Sequence, residues 1–126
     1  MPSYDTVQFQ PPAAIAEVTL RDTLTAATFP GVQLLLDTGA DITLLPKRAV
    51  EQLGVRLEEG AVYELVGFDG NRQMAAAASL DVLFQGKIYR GRYAITDSDI
   101  GVLGRDVLNH VALVIHGPKQ EWFEYR

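Results

Sequence analysis

The chain has 126 residues, with sixteen acidic and eleven basic side chains and a net charge of −5 at pH 7. Apolar residues make up 48% of it, enough for the core of one compact domain, so a disordered chain is excluded. The basic residues are scattered and cysteine is absent, which excludes a phosphate-binding stripe, disulfides and thiol catalysis.

The first half of the chain predicts an arm, short strands and one helix. Residues 1–13 are polar and end in two prolines, so they predict an N-terminal arm or edge segment before a domain spanning residues 14–126. Apolar runs at 15–20 and 32–36 are too short for helices and predict strands, with a turn at 29–31 between them. A strand at 42–45 precedes the clearest helix, at 46–53, which begins with proline and stops at Gly54.

The second half predicts hairpins. Strands at 63–66 and 74–80 flank a glycine-rich segment, 67–71, whose Asp69-Gly70 pair is a hairpin signal. The four alanines at 75–78 permit a helix, but a helix would break this spacing, so we predict a strand. Strands at 80–85, 88–95 and 102–104 follow, then a helical turn at 105–109 and a last hairpin between 111–115 and 122–125. This pattern predicts an all-β fold with a closed or folded-over sheet and one or two short helices.

One carboxylate stands in an unusual place. Asp37 directly follows three leucines, and a charge at such a position is normally turned to solvent, paired or protonated. Gly39 permits a tight turn after it. Two facing carboxylates that share a proton can act as general acid and base together. The chain has a single Asp-Thr-Gly, and Asp97-Ser98-Asp99 lacks the glycine, so a pair requires a second copy related by two-fold symmetry.

Two motifs resemble those of a known family. Residues 36–41, Leu-Asp-Thr-Gly-Ala-Asp, resemble the active-site loop of retropepsin-like, retroviral-type aspartic proteases. Residues 100–106, Ile-Gly-Val-Leu-Gly-Arg-Asp, resemble the second signature of that family, and the hairpin at 67–70 falls where the family has its flap. The hairpin that follows the last helix makes the chain look closer to bacterial and cellular single-domain relatives than to viral enzymes. The resemblance implies an acid-protease fold in which each subunit of a homodimer supplies half the site.

The resemblance also implies a role for individual residues. Asp37 would be the catalytic carboxylate, and the Thr38 hydroxyl would hydrogen-bond across the dimer axis. Gly39 would present its carbonyl to the substrate, and Asp41 and Arg105 would form an ion pair that braces the loop. The full set of loop residues implied to support the site is Thr38, Gly39, Ala40, Asp41 and Arg105. The residues implied to form the flap over the substrate are Gly67, Phe68, Asp69 and Gly70.

The function implied is an aspartic endopeptidase that cleaves extended peptides, with peptide or protein as substrate and with no metal and no organic cofactor. The alternative is a non-catalytic homodimeric domain of the same fold that binds peptides or only dimerises. Asp37 could then be an ordinary turn residue, and Asp41 and Arg105 a solvated ion pair. No apolar run approaches the ~20 residues that span a bilayer, and no signal peptide is visible, so we expect a cytoplasmic protein without a membrane partner.

Overall fold

Strands dominate the computed structural model, which describes residues 3–67 and 69–126. For residues 60–62 it describes the backbone only. Over these residues it contains ten strands and two short helices. The first six elements are β1 (Ser3–Asp5), β2 (Ala13–Arg21), β3 (Thr28–Leu36), β4 (Leu44–Pro46), α1 (Lys47–Leu53) and β5 (Glu58–Val66). The others are β6 (Arg72–Phe84), β7 (Lys87–Thr96), β8 (Gly101–Leu103), α2 (Arg105–Leu108), β9 (Leu113–His116) and β10 (Glu121–Glu124).

All the strands belong to one sheet, in the order β5-β6-β7-β4-β8-β3-β2-β1-β10-β9. Strand β6 also pairs with β2, so the sheet folds over onto itself. This confirms the predicted all-β, folded-over architecture. Two pairings were not predicted: β3 runs parallel to β8, and β4 runs parallel to β7. They bring the end of β3 beside the end of β8, although the two strands are far apart in the sequence.

The core lies inside the folded sheet and under helix α1. Alternation along the strands sends every second side chain inward, as in β2, where Ala16, Val18 and Leu20 are buried. The alanines at 75–78 lie in β6, as predicted, and their small side chains fit close strand packing. Burying each large aliphatic side chain contributes about 1.5–3 kcal/mol, so this interior is the main source of stability.

The predicted turn at 29–31 is wrong. These residues lie within β3, where Val32 pairs with Val18 and Phe29 pairs with Leu20. Two residues of β3 therefore face the single Thr19 of β2, which is a β-bulge. Gly31 has a positive φ of 76°, which glycine adopts readily. The turn-forming residues at 30 and 31 thus bend a continuous strand instead of ending it.

The ends of the chain are joined to the sheet. The segment predicted as an N-terminal arm contributes β1, which pairs with β2 and, through Ser3, with Glu121 of β10. Trp122 is buried against Phe84, and its indole N–H donates to the Ile15 carbonyl at 2.9 Å. The C-terminal hairpin therefore contributes to the core of its own chain. The predicted helix is also confirmed, but it begins at Lys47 because Pro46 completes β4.

A buried carboxylate joins three strands on the side of the sheet where β2 and β6 pair. Asp81 of β6 is fully buried and lies opposite Arg21 of β2 and Arg90 of β7. Arg90 Nε is 2.9 Å from Asp81 Oδ1, and Arg21 Nη2 is 2.8 Å from Oδ2. The hydrogen bond from Arg90 lowers the pKa of the Asp81 carboxyl; burial opposes this shift and the bond from Arg21 adds to it. This cluster favours the ionised carboxylate inside the sheet.

Candidate active site

The loop after β3 orients the Asp37 side chain. Strand β3 pairs with β8, and the Asp37 N–H continues this ladder by donating to the Leu103 carbonyl at 3.1 Å. The loop then turns, with the Ala40 N–H donating to the Asp37 carbonyl at 3.2 Å. The Gly39 N–H donates to Asp37 Oδ1 at 2.9 Å. The half-buried carboxylate is therefore held by the backbone of its own loop.

Gly39 fits this arrangement because it has no side chain. A Cβ atom at this position would lie 3.1 Å from Asp37 Oδ1, which is closer than most carbon contacts. A larger residue would push the carboxylate away from the N–H that holds it. The glycine of Asp-Thr-Gly thus has a local structural reason.

A buried threonine joins this loop to helix α2. The Thr43 hydroxyl donates to Asp106 Oδ1 at 2.6 Å and accepts from the Gly104 N–H at 3.0 Å. The Thr43 N–H donates to Asp106 Oδ2 at 3.0 Å. Sequence reasoning assigned no role to Thr43 or Asp106; the only signal was the place of Asp106 in the second motif. The hydroxyl and N–H of Thr43, the Gly104 N–H and both Asp106 carboxylate oxygens are therefore joined in one network.

The start of α2 passes very close to the loop. The Arg105 N–H donates to the Ala40 carbonyl at 2.9 Å. A Cβ atom built on Gly104 would lie 2.5 Å from the Ile42 carbonyl oxygen and 3.0 Å from that of Ala40. Only glycine permits this approach. Gly104 of the second motif thus allows the backbones of the loop and of the start of α2 to come into contact.

The ion pair predicted between Asp41 and Arg105 is absent from the part of the chain that the structure describes. Arg105 instead donates from Nη1 to the Thr38 carbonyl at 2.7 Å. Asp41 is exposed, and an exposed ion pair gains little over hydration of the separate charges. Arg105 still braces the loop, but its side chain binds a backbone carbonyl of the loop and not a carboxylate. Of the remaining loop residues, Arg105 binds the carbonyls of Thr38 and Ala40.

The β5–β6 connection forms a tight hairpin turn. The Gly67 N–H donates to the Asn71 carbonyl at 2.9 Å, and the Gly70 N–H donates to the Gly67 carbonyl at 3.0 Å. The Asp69 carboxylate accepts from the Asn71 N–H and from its side-chain amide at 3.0 and 2.7 Å. The hairpin predicted at this position is confirmed. Phe68, which the sequence places at its tip, lies outside the described residues.

Other kinds of site find little support in the described chain. Among residues 3–67 and 69–126, no three His, Asp or Glu side chains lie together in a way that could hold a metal ion. Neither helix in this part of the chain is long and apolar enough to cross a membrane.

The family model for aspartyl proteases matches residues 17–107, which include Asp37 and both motifs. The chain belongs to the aspartyl protease family. A search of curated proteins finds no significant match to this aspartyl protease.

Solved structures show which protease fold this is. The EIAV protease complexed with the inhibitor HBY-793 superposes with a TM-score of 0.60 and 25% identity, over 78% of this chain and 86% of that one. A retropepsin-like aspartic protease from Rickettsia conorii superposes with a TM-score of 0.55 and 20% identity, over 99% of this chain and 97% of that one. The fold of this aspartyl protease is therefore of the retropepsin type.

Proposed function

We propose that this chain is one subunit of a homodimeric aspartic endopeptidase in which two copies of Asp37 activate the attacking water. The observation that carries the proposal is the Asp37 carboxylate itself, half-buried and held by the Gly39 N–H at 2.9 Å. This orientation keeps one oxygen bound to the loop and leaves the other for chemistry. The loop belongs to the part of the chain that the aspartyl protease family model matches.

Peptide hydrolysis by carboxylates needs two of them. One takes a proton from water while the other donates a proton to the carbonyl oxygen, and later the leaving amine is protonated. Two carboxylates in close contact share one proton because both cannot remain ionised. The sequence has one Asp-Thr-Gly, so the second carboxylate comes from the other subunit.

The loop also offers groups to a partner subunit and to a substrate. Arg105 binds the Thr38 carbonyl, and the Thr38 side chain is exposed, which supports its proposed hydrogen bond across the dimer axis. Gly39 is exposed as well, as a carbonyl that binds substrate backbone must be. Asp41 is exposed and bound by no cation in the described chain, so it remains open to substrate main chain.

The β5–β6 hairpin is proposed to be the flap. Its connection, 67–71, is exposed at the residues described there and is held by short backbone bonds, so it can move as a unit. Closing it over an extended peptide would exclude water and supply backbone donors. A peptide bound as an added strand would place alternate side chains in pockets.

The test is cleavage of an unbiased peptide mixture from about pH 3 to pH 8, a range wide enough to include the titration of a coupled carboxylate pair. Cut sites are read by mass spectrometry with the wild-type protein, with Asp37→Asn, and with Asp22→Asn as a control outside the loop. We expect cuts that pepstatin suppresses, that vanish in Asp37→Asn and that persist in Asp22→Asn. A folded dimer that makes no cut at any pH would favour the non-catalytic peptide-binding or dimerisation domain.

A further inference from the structure

Three aliphatic side chains form a row that lies outside the hydrophobic core. Leu35 of β3 and Leu44 of β4 both pair with Val102 of β8, so the three lie side by side on one face of the sheet. Each is only half-buried, and none packs against the core cluster. Their chain neighbours on the opposite face are fully buried; these are Leu34, Leu45 and Leu103.

This row faces the same side as the catalytic carboxylate. Asp37 continues the pairing of β3 with β8, because its N–H donates to the Leu103 carbonyl. Side chains two residues apart in a strand point to the same side and are separated by about 7 Å. Leu35 and Asp37 are two residues apart, so the row begins next to the carboxylate.

The row lines a cavity of about 450 Å³. Phe9 and Ile100 complete its apolar wall, and the 96–100 loop forms its polar edge. Among the described residues that line it, Asp99 is the only one with a charge. The cavity therefore combines an aliphatic wall with a single carboxylate.

The loop that carries Asp99 is held by its own hydroxyl groups. The Ser98 N–H donates to Thr96 Oγ1 at 3.2 Å, and the Ile100 N–H donates to Ser98 Oγ at 3.4 Å. The Asp99 side chain is exposed and forms no ion pair with any described residue. Asp99 lies at the edge of this cavity and of a neighbouring one that Arg48 also lines, and no described cation binds its charge.

We propose that Asp99 is a specificity-determining residue and that this cavity takes a lysine or arginine side chain of the substrate close to the scissile bond. The inference rests on the proposed protease function and adds the class of side chain that it selects. Lysine and arginine bury their methylene groups on apolar surface while their charged ends stay near water or a carboxylate. An acidic substrate side chain would be repelled by Asp99, and a purely apolar one would gain nothing from its charge.

The experiment compares the cut-site preferences of wild type, Asp99→Asn and Asp99→Lys on the same peptide mixture. Asp97→Asn is the matched control, because Asp97 is exposed two residues earlier and does not line the cavity. We expect wild type to favour lysine or arginine at one position within about three residues of the cut. Asp99→Asn should reduce this preference about five-fold, as expected for an exposed ion pair. Asp99→Lys should shift the preference at that position toward acidic residues, and Asp97→Asn should leave it unchanged.

The outcomes separate this inference from the proposed function. Cleavage without any basic preference, or with the same preference in wild type and Asp99→Asn, would overturn the role of Asp99 and leave the protease in place. A complete absence of cleavage by the folded wild-type dimer would overturn the protease and the specificity together.

Discussion

The Thr43 hydroxyl donates to Asp106 Oδ1 at 2.6 Å, and this bond joins the loop that carries Asp37 to the start of helix α2. The two residues are 63 positions apart in the sequence. Because Thr43 is fully buried, its hydroxyl has no water to replace a lost partner. The loop that carries Asp37 is therefore positioned by a junction whose threonine is fully buried.

Replacing Thr43 with valine should destabilise the protein by about 1–3 kcal/mol, because the buried Gly104 N–H loses its acceptor and the exposed Asp106 carboxylate loses one of its two bonds to Thr43. Thr43→Ser keeps the hydroxyl, so its free energy of unfolding should fall by less than that of the valine variant. The measurement is urea unfolding followed by the fluorescence of Trp122, the single tryptophan, which is buried in the folded chain. Equal stability of the valine and wild-type proteins would contradict the role given to this bond.

Gly104→Ala should destabilise the protein by about 1–3 kcal/mol, because the added Cβ meets two backbone carbonyls that cannot move aside easily. Gly117→Ala is the control, since a Cβ there meets nothing within 4 Å. Its stability should stay within about 0.5 kcal/mol of wild type. Thermal or urea unfolding of the two variants measures the difference, and similar losses in both would show that the close approach at Gly104 is unimportant.

Arg105→Met should lower proteolytic activity about ten-fold. Arg105 is exposed, so the core does not depend on it, but its bond to the Thr38 carbonyl positions the loop at the proposed dimer axis. Arg56→Met, at another exposed arginine, is the control. The dimer dissociation constant should also rise in Arg105→Met. A variant with wild-type activity and dimer affinity would show that Arg105 has no positioning role.

Asp81→Asn should destabilise the protein by about 2 kcal/mol near pH 7, because two arginines lose a buried carboxylate partner. The folded-state pKa of Asp81 is lowered, so its contribution is fully present above the unfolded pKa of about 4 and is lost as the pH falls through the folded value. Stability of the wild type should therefore fall more steeply below about pH 4 than that of Asp81→Asn. Unfolding at a series of pH values measures both slopes, with Asp97→Asn as the control. Parallel curves for wild type and Asp81→Asn would contradict this account.

Local pattern predicted much of the fold. The hairpin at 67–71, helix α1 and the last hairpin each have turn or cap residues next to apolar runs, and such signals act over a few residues. The parallel pairs β3–β8 and β4–β7 have no such signal, because they join distant short strands through the tertiary fold. The bulge at Gly31 was missed because proline and glycine also mark turns.

The site was predicted from its motifs and not from its contacts. Asp37, Thr38, Gly39 and Ala40 were identified as one loop because residues 36–41 resemble the active-site loop of retropepsin-like proteases. The prediction that Asp41 is the partner of Arg105 was wrong, because sequence alone does not tell a carboxylate acceptor from a backbone carbonyl. The Thr43–Asp106 bond and the Asp81 cluster depend on the three-dimensional approach of distant residues, so no local pattern could predict them.

Mixing subunits tests the central claim most directly, because the claim is that each active site needs Asp37 from two chains. Wild type and Asp37→Asn are unfolded together in equal amounts, refolded and assayed, with wild type mixed with Asp22→Asn as the control. If both carboxylates are required, random pairing leaves about one quarter of the dimers with two Asp37 residues. Activity should then fall to about one quarter of that of wild type refolded alone at the same total protein concentration. Activity of about one half would show that a single chain carries out the reaction alone and would contradict the shared site.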